Sequence, residues 1–104
     1  MATSYGQEDC PVAWALDVIG DKWSLLVLRD LFRKGPLRFH ELEKGLPGVV
    51  PNTLAARLKT LEREGVIGTR LYEAHPPRYE YFLTEKGKAL GPALKALYGW
   101  GECY

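Results

Sequence analysis

Asn52, Thr53, Ala56, Lys59 and Arg63 lie in one short stretch between Pro51 and Glu64, and their side chains are of the kinds that read and grip a duplex polyanion. An Asn amide can pair bidentately with adenine, a Thr hydroxyl can bond several bases or touch a thymine methyl, and an Ala allows close approach. Lys59 and Arg63 sit further along, better placed for phosphates, which set affinity rather than sequence preference. On a helical wheel of roughly 100° per residue, Leu54, Leu58 and Leu61 cluster on one side. Asn52, Ala56, Lys59 and Arg63 fall opposite, with Thr53 and Thr60 beside them. Arg57 flanks the leucine stripe, where two roles are open to it, a phosphate contact or an internal pair with Glu64. The same pattern suits an ordinary amphipathic core helix with a solvated polar face, so the surrounding elements must decide.

Other reactive side chains are few. Cys10, Cys103, His40 and His75 show no metal-ligand spacing and there is no Cys-x-x-Cys, so no metal site and no cofactor are expected. No phosphate-binding glycine loop, nucleophile elbow or paired acid–base constellation is visible, which speaks against an enzyme. Cys10 precedes Pro11 at the expected start of a helix, where the positive end of the dipole favours a thiolate. Glu8 and Asp9 oppose that. Cys10 therefore has two readings, a reactive thiol or a small apolar side chain at an interface. A disulfide from Cys10 to Cys103 of another subunit is a further open possibility, since the sequence fixes no distance.

The elements that must position these residues follow from periodicity. Cys10-Pro11 opens a first helix with an apolar stripe of Val12, Leu16 and Ile19, ended by Gly20. Trp14 lies off that stripe and suggests a second buried face. Asp21 caps a second helix whose Trp23, Leu25, Leu26, Val27, Leu28, Leu31 and Phe32 are apolar nearly all round, the mark of a central helix. Leu37-Arg38 is long enough only for a bridge-like strand. Two short amphipathic helices then follow, Phe39 to Lys44 and Pro51 to Glu64, joined by Gly45-Leu46-Pro47-Gly48-Val49-Val50 and stopped at Gly65. That is the layout of a helix-turn-helix. Val66 to Glu73 and Arg78 to Leu83 are β-rich, and Ala74-His75-Pro76-Pro77 marks a hairpin tip because proline cannot donate to a ladder. Thr84 caps a final helix from Glu85 to about Trp100, with a Leu90, Leu94, Leu97 stripe and a kink at Pro92.

The expected order is α-α-α-α-β-β-α. The fold class is mostly α with a small β-hairpin, a winged helix-turn-helix. Residues 10–104 form one domain and 1–9 a loose arm. The wing, 73–79, can lie along the backbone or minor groove, with Arg70, His75 and Arg78 supplying positive charge.

Composition agrees with this reading. A chain of 104 residues with 46% apolar content is one small globular domain, of a size that often gains stability from a partner subunit. Net charge is only +1, but it is unevenly spread. Residues 1–21 hold four acids and no Lys or Arg, whereas residues 31–60 hold six basic residues against two acids. A positive middle in a neutral chain suits a nucleic-acid footprint, and it also fits a solvated mixed surface. No apolar run approaches membrane-spanning length and no secretory signal is visible, so a cytoplasmic protein without a membrane partner is expected.

Several runs together carry a family resemblance. They are Cys10-Pro11-Val12, Ile19-Gly20-Asp21-Lys22-Trp23 and Arg38-Phe39-His40-Glu41-Leu42, then Leu54 to Leu58 and Leu61 to Gly65. Pro76-Pro77-Arg78-Tyr79-Glu80-Tyr81, Leu83-Thr84-Glu85-Lys86-Gly87 and Leu97 to Gly101 follow in order. The chain resembles the HxlR-type transcriptional regulators, relatives of the MarR winged helices. The resemblance implies a bacterial regulator that binds double-stranded DNA as a homodimer through its first and last helices. In this chain those faces carry Trp14, Val18, Leu94, Leu97, Tyr98 and Trp100; the same aromatics could instead fill the monomer's own core. Several such regulators sense oxidants or electrophiles through a cysteine near the start of the first helix, and Cys10 matches that position. The DNA-contacting set expected is Arg38, Asn52, Thr53, Ala56, Arg57, Lys59, Arg63 and Arg78, on a palindromic site read by two helices about one DNA turn apart. The competing readings are a winged-helix protein-interaction module and a sensor for a small-molecule effector whose identity the sequence does not give.

Overall fold

The structure, a computed structural model, describes residues 10–104; the expected arm over residues 1–9 lies outside them. The elements run α1 (Pro11–Ile19), α2 (Lys22–Lys34), α3 (Phe39–Lys44), α4 (Pro51–Arg63), β1 (Ile67–Glu73), β2 (Arg78–Leu83), α5 (Glu85–Lys88) and α6 (Gly91–Cys103). The Asp21 carboxylate caps α2 by accepting from the backbone N–H of Trp23 at 2.8 Å and of Ser24 at 3.2 Å. These are donors that the first helical turn otherwise leaves unpaired.

The central position of α2 follows from its all-round apolar surface. It touches α1, α4, α6 and β2, and its Val27, Leu28 and Leu31 meet Leu42, Leu46, Leu54, Leu58, Leu61, Val66 and Ile67 in one buried cluster. Leu42 of α3 and Leu46 of the following turn both enter this cluster, so the same core that holds α2 also anchors the connection from α3 to α4. Gly65 ends α4 with φ of 75°, a left-handed conformation that a side chain would disfavour.

β1 and β2 pair antiparallel from Ile67 opposite Leu83 to Glu73 opposite Arg78. The register slips between Leu71, which faces Tyr79, and Glu73, so Tyr72 is an extra residue in β1. Leu37 adds a third-strand bridge: its N–H donates to Tyr81 O at 3.0 Å and its carbonyl accepts from Tyr81 N at 2.7 Å.

Two expectations are corrected. Of the α1 stripe of Val12, Leu16 and Ile19, only Ile19 packs against the core: Val12 is 68% and Leu16 45% exposed, while Ala13 and Val18 are buried. Both sides of this short helix are apolar, and periodicity alone does not say which one meets α2. The final helix is also not one kinked rod. It breaks after Lys88, and α6 starts at Gly91 with Pro92 in its first turn. A proline there sacrifices no helical hydrogen bond, because N–H groups of a first turn have no intrahelical acceptor. Of the expected stripe, Leu90 and Leu94 pack on the core, and Leu97 stays 53% exposed.

Candidate nucleic-acid interface

The turn before α4 is built around an acid. Asp30 is 3% exposed, and one of its carboxylate oxygens accepts from Arg29 Nε at 2.8 Å. Arg29 Nη2 in turn reaches the Gly45 carbonyl at 3.4 Å. A Cβ on residue 45 would stand 2.7 Å from the other Asp30 oxygen, so only glycine lets the turn approach this closely. That second oxygen has no hydrogen-bond partner among the described residues. The sequence held a signal for this contact, since Asp30 is the sole acid within the apolar α2.

From that turn α4 projects with its leucines inward. Leu54, Leu58 and Leu61 are buried, whereas Asn52, Ala56, Lys59 and Arg63 are exposed and Thr53 half-buried. Asn52 and Lys59 have no side-chain hydrogen bond or ion pair among the described residues. Thr60 is turned onto its own helix, donating to the Ala56 carbonyl at 3.2 Å. Arg57 does not pair with Glu64. It is half-buried, and its Nε is enclosed with no acceptor among the described residues. Glu64 faces Arg63 instead, at 3.8 Å.

The basic groups of the wing are engaged by its own acids. Arg70 pairs with Glu80 at 2.8 Å and Arg78 with Glu73 at 3.2 Å. Both are exposed pairs, worth roughly 0–1 kcal/mol each, so a phosphate can compete for either arginine at small cost. His75 is exposed at the tip.

Arg38, just ahead of α3, is held more firmly. Its backbone N–H donates to Glu41 Oε1 at 2.8 Å, its Nε to the same oxygen at 3.2 Å, and its Nη1 to the Tyr72 hydroxyl at 2.8 Å. The bond to Tyr72 and then that to Glu41 raise the Arg38 pKa above the ordinary arginine value. The Arg38 backbone N–H, followed by its side chain, pulls Glu41 below the usual carboxylate value. Burial, with a smaller part from the charge of Glu62, pushes Tyr81 up. Tyr72 escaped sequence reasoning because it reads as one more aromatic strand residue.

The residues expected at a subunit interface separate into two groups. Val18 is spent inside the chain's own core and Trp14 and Leu94 are half-buried against it. Leu97, Tyr98 and Trp100 are 53%, 61% and 67% exposed. Between α2 and α6 lies an apolar groove of about 650 Å³, lined in part by Leu25, Phe32, Leu94, Leu97 and Tyr98. Cys10 is half-buried as the residue capping α1, and Cys103 is exposed in the last turn of α6. No group of His, Cys, Asp and Glu suited to a metal occurs among the described residues, and none of their helices is long and apolar enough to cross a membrane.

Comparison with known proteins agrees with this architecture. YdeP of Bacillus subtilis, an uncharacterised HTH-type transcriptional regulator, is 42% identical over 93% of this chain and 75% of its own length. An uncharacterised HTH-type transcriptional regulator of Methanothermobacter thermautotrophicus is 44% identical over 91% of this chain and 72% of its own. Among solved structures, PA1607 superposes with a TM-score of 0.87 at 49% identity, covering 98% of this chain and 70% of that one. The redox regulator HypR in its oxidised form gives a TM-score of 0.84 at 36% identity, covering 91% and 97%. The HxlR-like helix-turn-helix profile matches residues 18–104, and the chain belongs to that family of winged-helix transcriptional regulators.

Proposed function

We propose that the protein is a cytoplasmic transcriptional regulator that binds palindromic duplex DNA as a homodimer, with α4 in the major groove and the wing along the backbone or minor groove. The observation that carries this reading is the outer face of α4, where Asn52 and Lys59 are exposed and have no side-chain partner among the described residues while the leucines opposite are buried. A protein-docking helix would more naturally offer apolar side chains there. Asn52, Thr53 and Ala56 are assigned base readout. Lys59, Arg63 and Arg78 are assigned phosphate contact, with Arg57 and Arg38 as further contacts. Exposed Val12 and Leu16 on α1, with Leu97, Tyr98 and Trp100 on α6, support assembly through the first and last helices. An oxidant or electrophile would act through Cys10, and a small-molecule effector would enter the groove between α2 and α6.

The test is selection of duplexes from a random pool, followed by binding at two salt concentrations. Asn52→Ala is expected to lose about 1–3 kcal/mol of discrimination at one base position. Lys59→Ala is expected to weaken all duplexes alike and to lower the salt slope by about one. Equal loss on selected and random DNA for both variants would reject this division of labour. No enrichment of any duplex would favour the protein-interaction module.

A further inference from the structure

The outer wing has one side-chain tie to the body of the protein among the described residues. Arg70–Glu80 and Arg78–Glu73 are internal to the hairpin. Thr69, which donates to Glu62 at 2.9 Å, and the Leu37–Tyr81 bridge both hold it near its base. Beyond them, the only side-chain bond leaving the hairpin among the described residues is that between Arg38 and Tyr72. The guanidinium of Arg38 lies 5.1 Å from the centre of the Tyr72 ring and also donates to its hydroxyl at 2.8 Å. Its remaining anchor is Glu41, in the first turn of α3. Tyr72 is the extra residue of the β1 bulge, and a bulge re-aims the side chain it carries. Bulge, ring contact and hydroxyl bond thus converge on one link between the wing and the residue that opens the helix-turn-helix.

We propose that Arg38 and Tyr72 form a latch that fixes the direction of the wing relative to α3 and α4, and that Tyr72 is a positioning residue for DNA recognition. The DNA part rests on the function proposed above. Besides the phosphate contact assigned above, Arg38 then serves as a strut, with Glu41 on one side and Tyr72 on the other. The planar, forked guanidinium suits this task, because it can stack on a ring and donate along its edge at once.

Two measurements on the full chain test the latch, each comparing the wild type with Tyr72→Phe and Tyr72→Ala. The first is amide hydrogen exchange without DNA. Tyr72→Ala should speed exchange of residues 70–80 by about tenfold, the loss expected from removing a charge-assisted bond and its ring contact, and leave α2 and α4 unchanged. Tyr72→Phe, which keeps the ring, should fall between. The second is a hydroxyl-radical footprint with binding curves on the duplex selected by the wild type. Tyr72→Ala should lose protection only where the wing lies and bind about tenfold more weakly, with the major-groove contacts of α4 retained. Unchanged exchange in Tyr72→Ala would overturn the latch. Faster exchange with an unchanged footprint and affinity would overturn its role in recognition. A wild type that protects no duplex would reject the DNA-binding reading, and the exchange data would still judge the latch.

Discussion

α4 and α6 are both thirteen-residue helices with a proline in the first turn and apolar residues at helical spacing, yet the fold uses them in opposite ways. α4 buries Leu54, Leu58 and Leu61 completely and leaves a polar face outside. α6 has no fully buried residue; Leu94 is half covered, and Leu97, Tyr98 and Trp100 stand in the open. The first helix is finished within the chain. The second offers the kind of exposed apolar surface that marks a site of association. The difference fits the two roles proposed above, since a helix whose apolar side is satisfied can present polar atoms to a partner without competing for burial.

The largest expected effect tests the finished side. Leu58 is 1% exposed, so Leu58→Ala should cost about 3 kcal/mol of folding stability, within the 2–5 kcal/mol usual for such a truncation. Denaturant unfolding measures it. A loss below about 1 kcal/mol would mean that α4 is not anchored through its leucines, and the contrast with α6 would collapse.

The next effect tests the unfinished side. Leu97→Glu and Trp100→Glu change residues that the chain itself does not bury, so each variant should fold with an unaltered circular-dichroism spectrum. Each should nevertheless raise the dimer dissociation constant by about a hundredfold, as removal of an apolar anchor from an interface does. Sedimentation equilibrium gives the answer. A wild type that is monomeric at all concentrations, or variants that dimerise equally well, would remove the homodimer, and with it the palindromic operator.

How far these features were legible in the sequence depends on what fixes them. The α4 face was readable because a three-leucine stripe, Pro51 and Gly65 are local signals, and Asp21 and Thr84 were readable as caps for the same reason. Thr84 Oγ1 accepts from Gly87 N at 3.2 Å and donates to the Val66 carbonyl at 3.0 Å. The choice between the two apolar sides of α1 was not local. It is made by α2 and α4, so Val12 and Leu16 were assigned inward and are found outside. Pro92 was visible as a disturbance, but a kink and a fresh start look alike until the chain before it is placed. The Arg38–Tyr72 contact was not legible because Tyr72 is far off in sequence and reaches Arg38 only through a bulge, which no periodicity announces.

The smallest effect examines the contact that starts the helix-turn-helix. Glu41 is held below the ordinary carboxylate pKa, first by the Arg38 backbone N–H and then by the Arg38 side chain. A carboxylate whose pKa is depressed on folding stabilises the native state above its unfolded pKa, about 4.3 for Glu. That contribution disappears as pH falls through the lower native value, because both states are then protonated. Glu41→Gln keeps an oxygen that can accept from Arg38 N–H but loses the charge, so it should be slightly less stable than the wild type near neutral pH. The two stability curves should converge as pH drops below about 4. The other titrating groups are common to both proteins and largely cancel in the difference. A gap that persists unchanged in acid would assign the deficit to altered packing at the start of α3 rather than to the charge on Glu41, and the link from Arg38 to the wing would then have to be carried by Tyr72 alone.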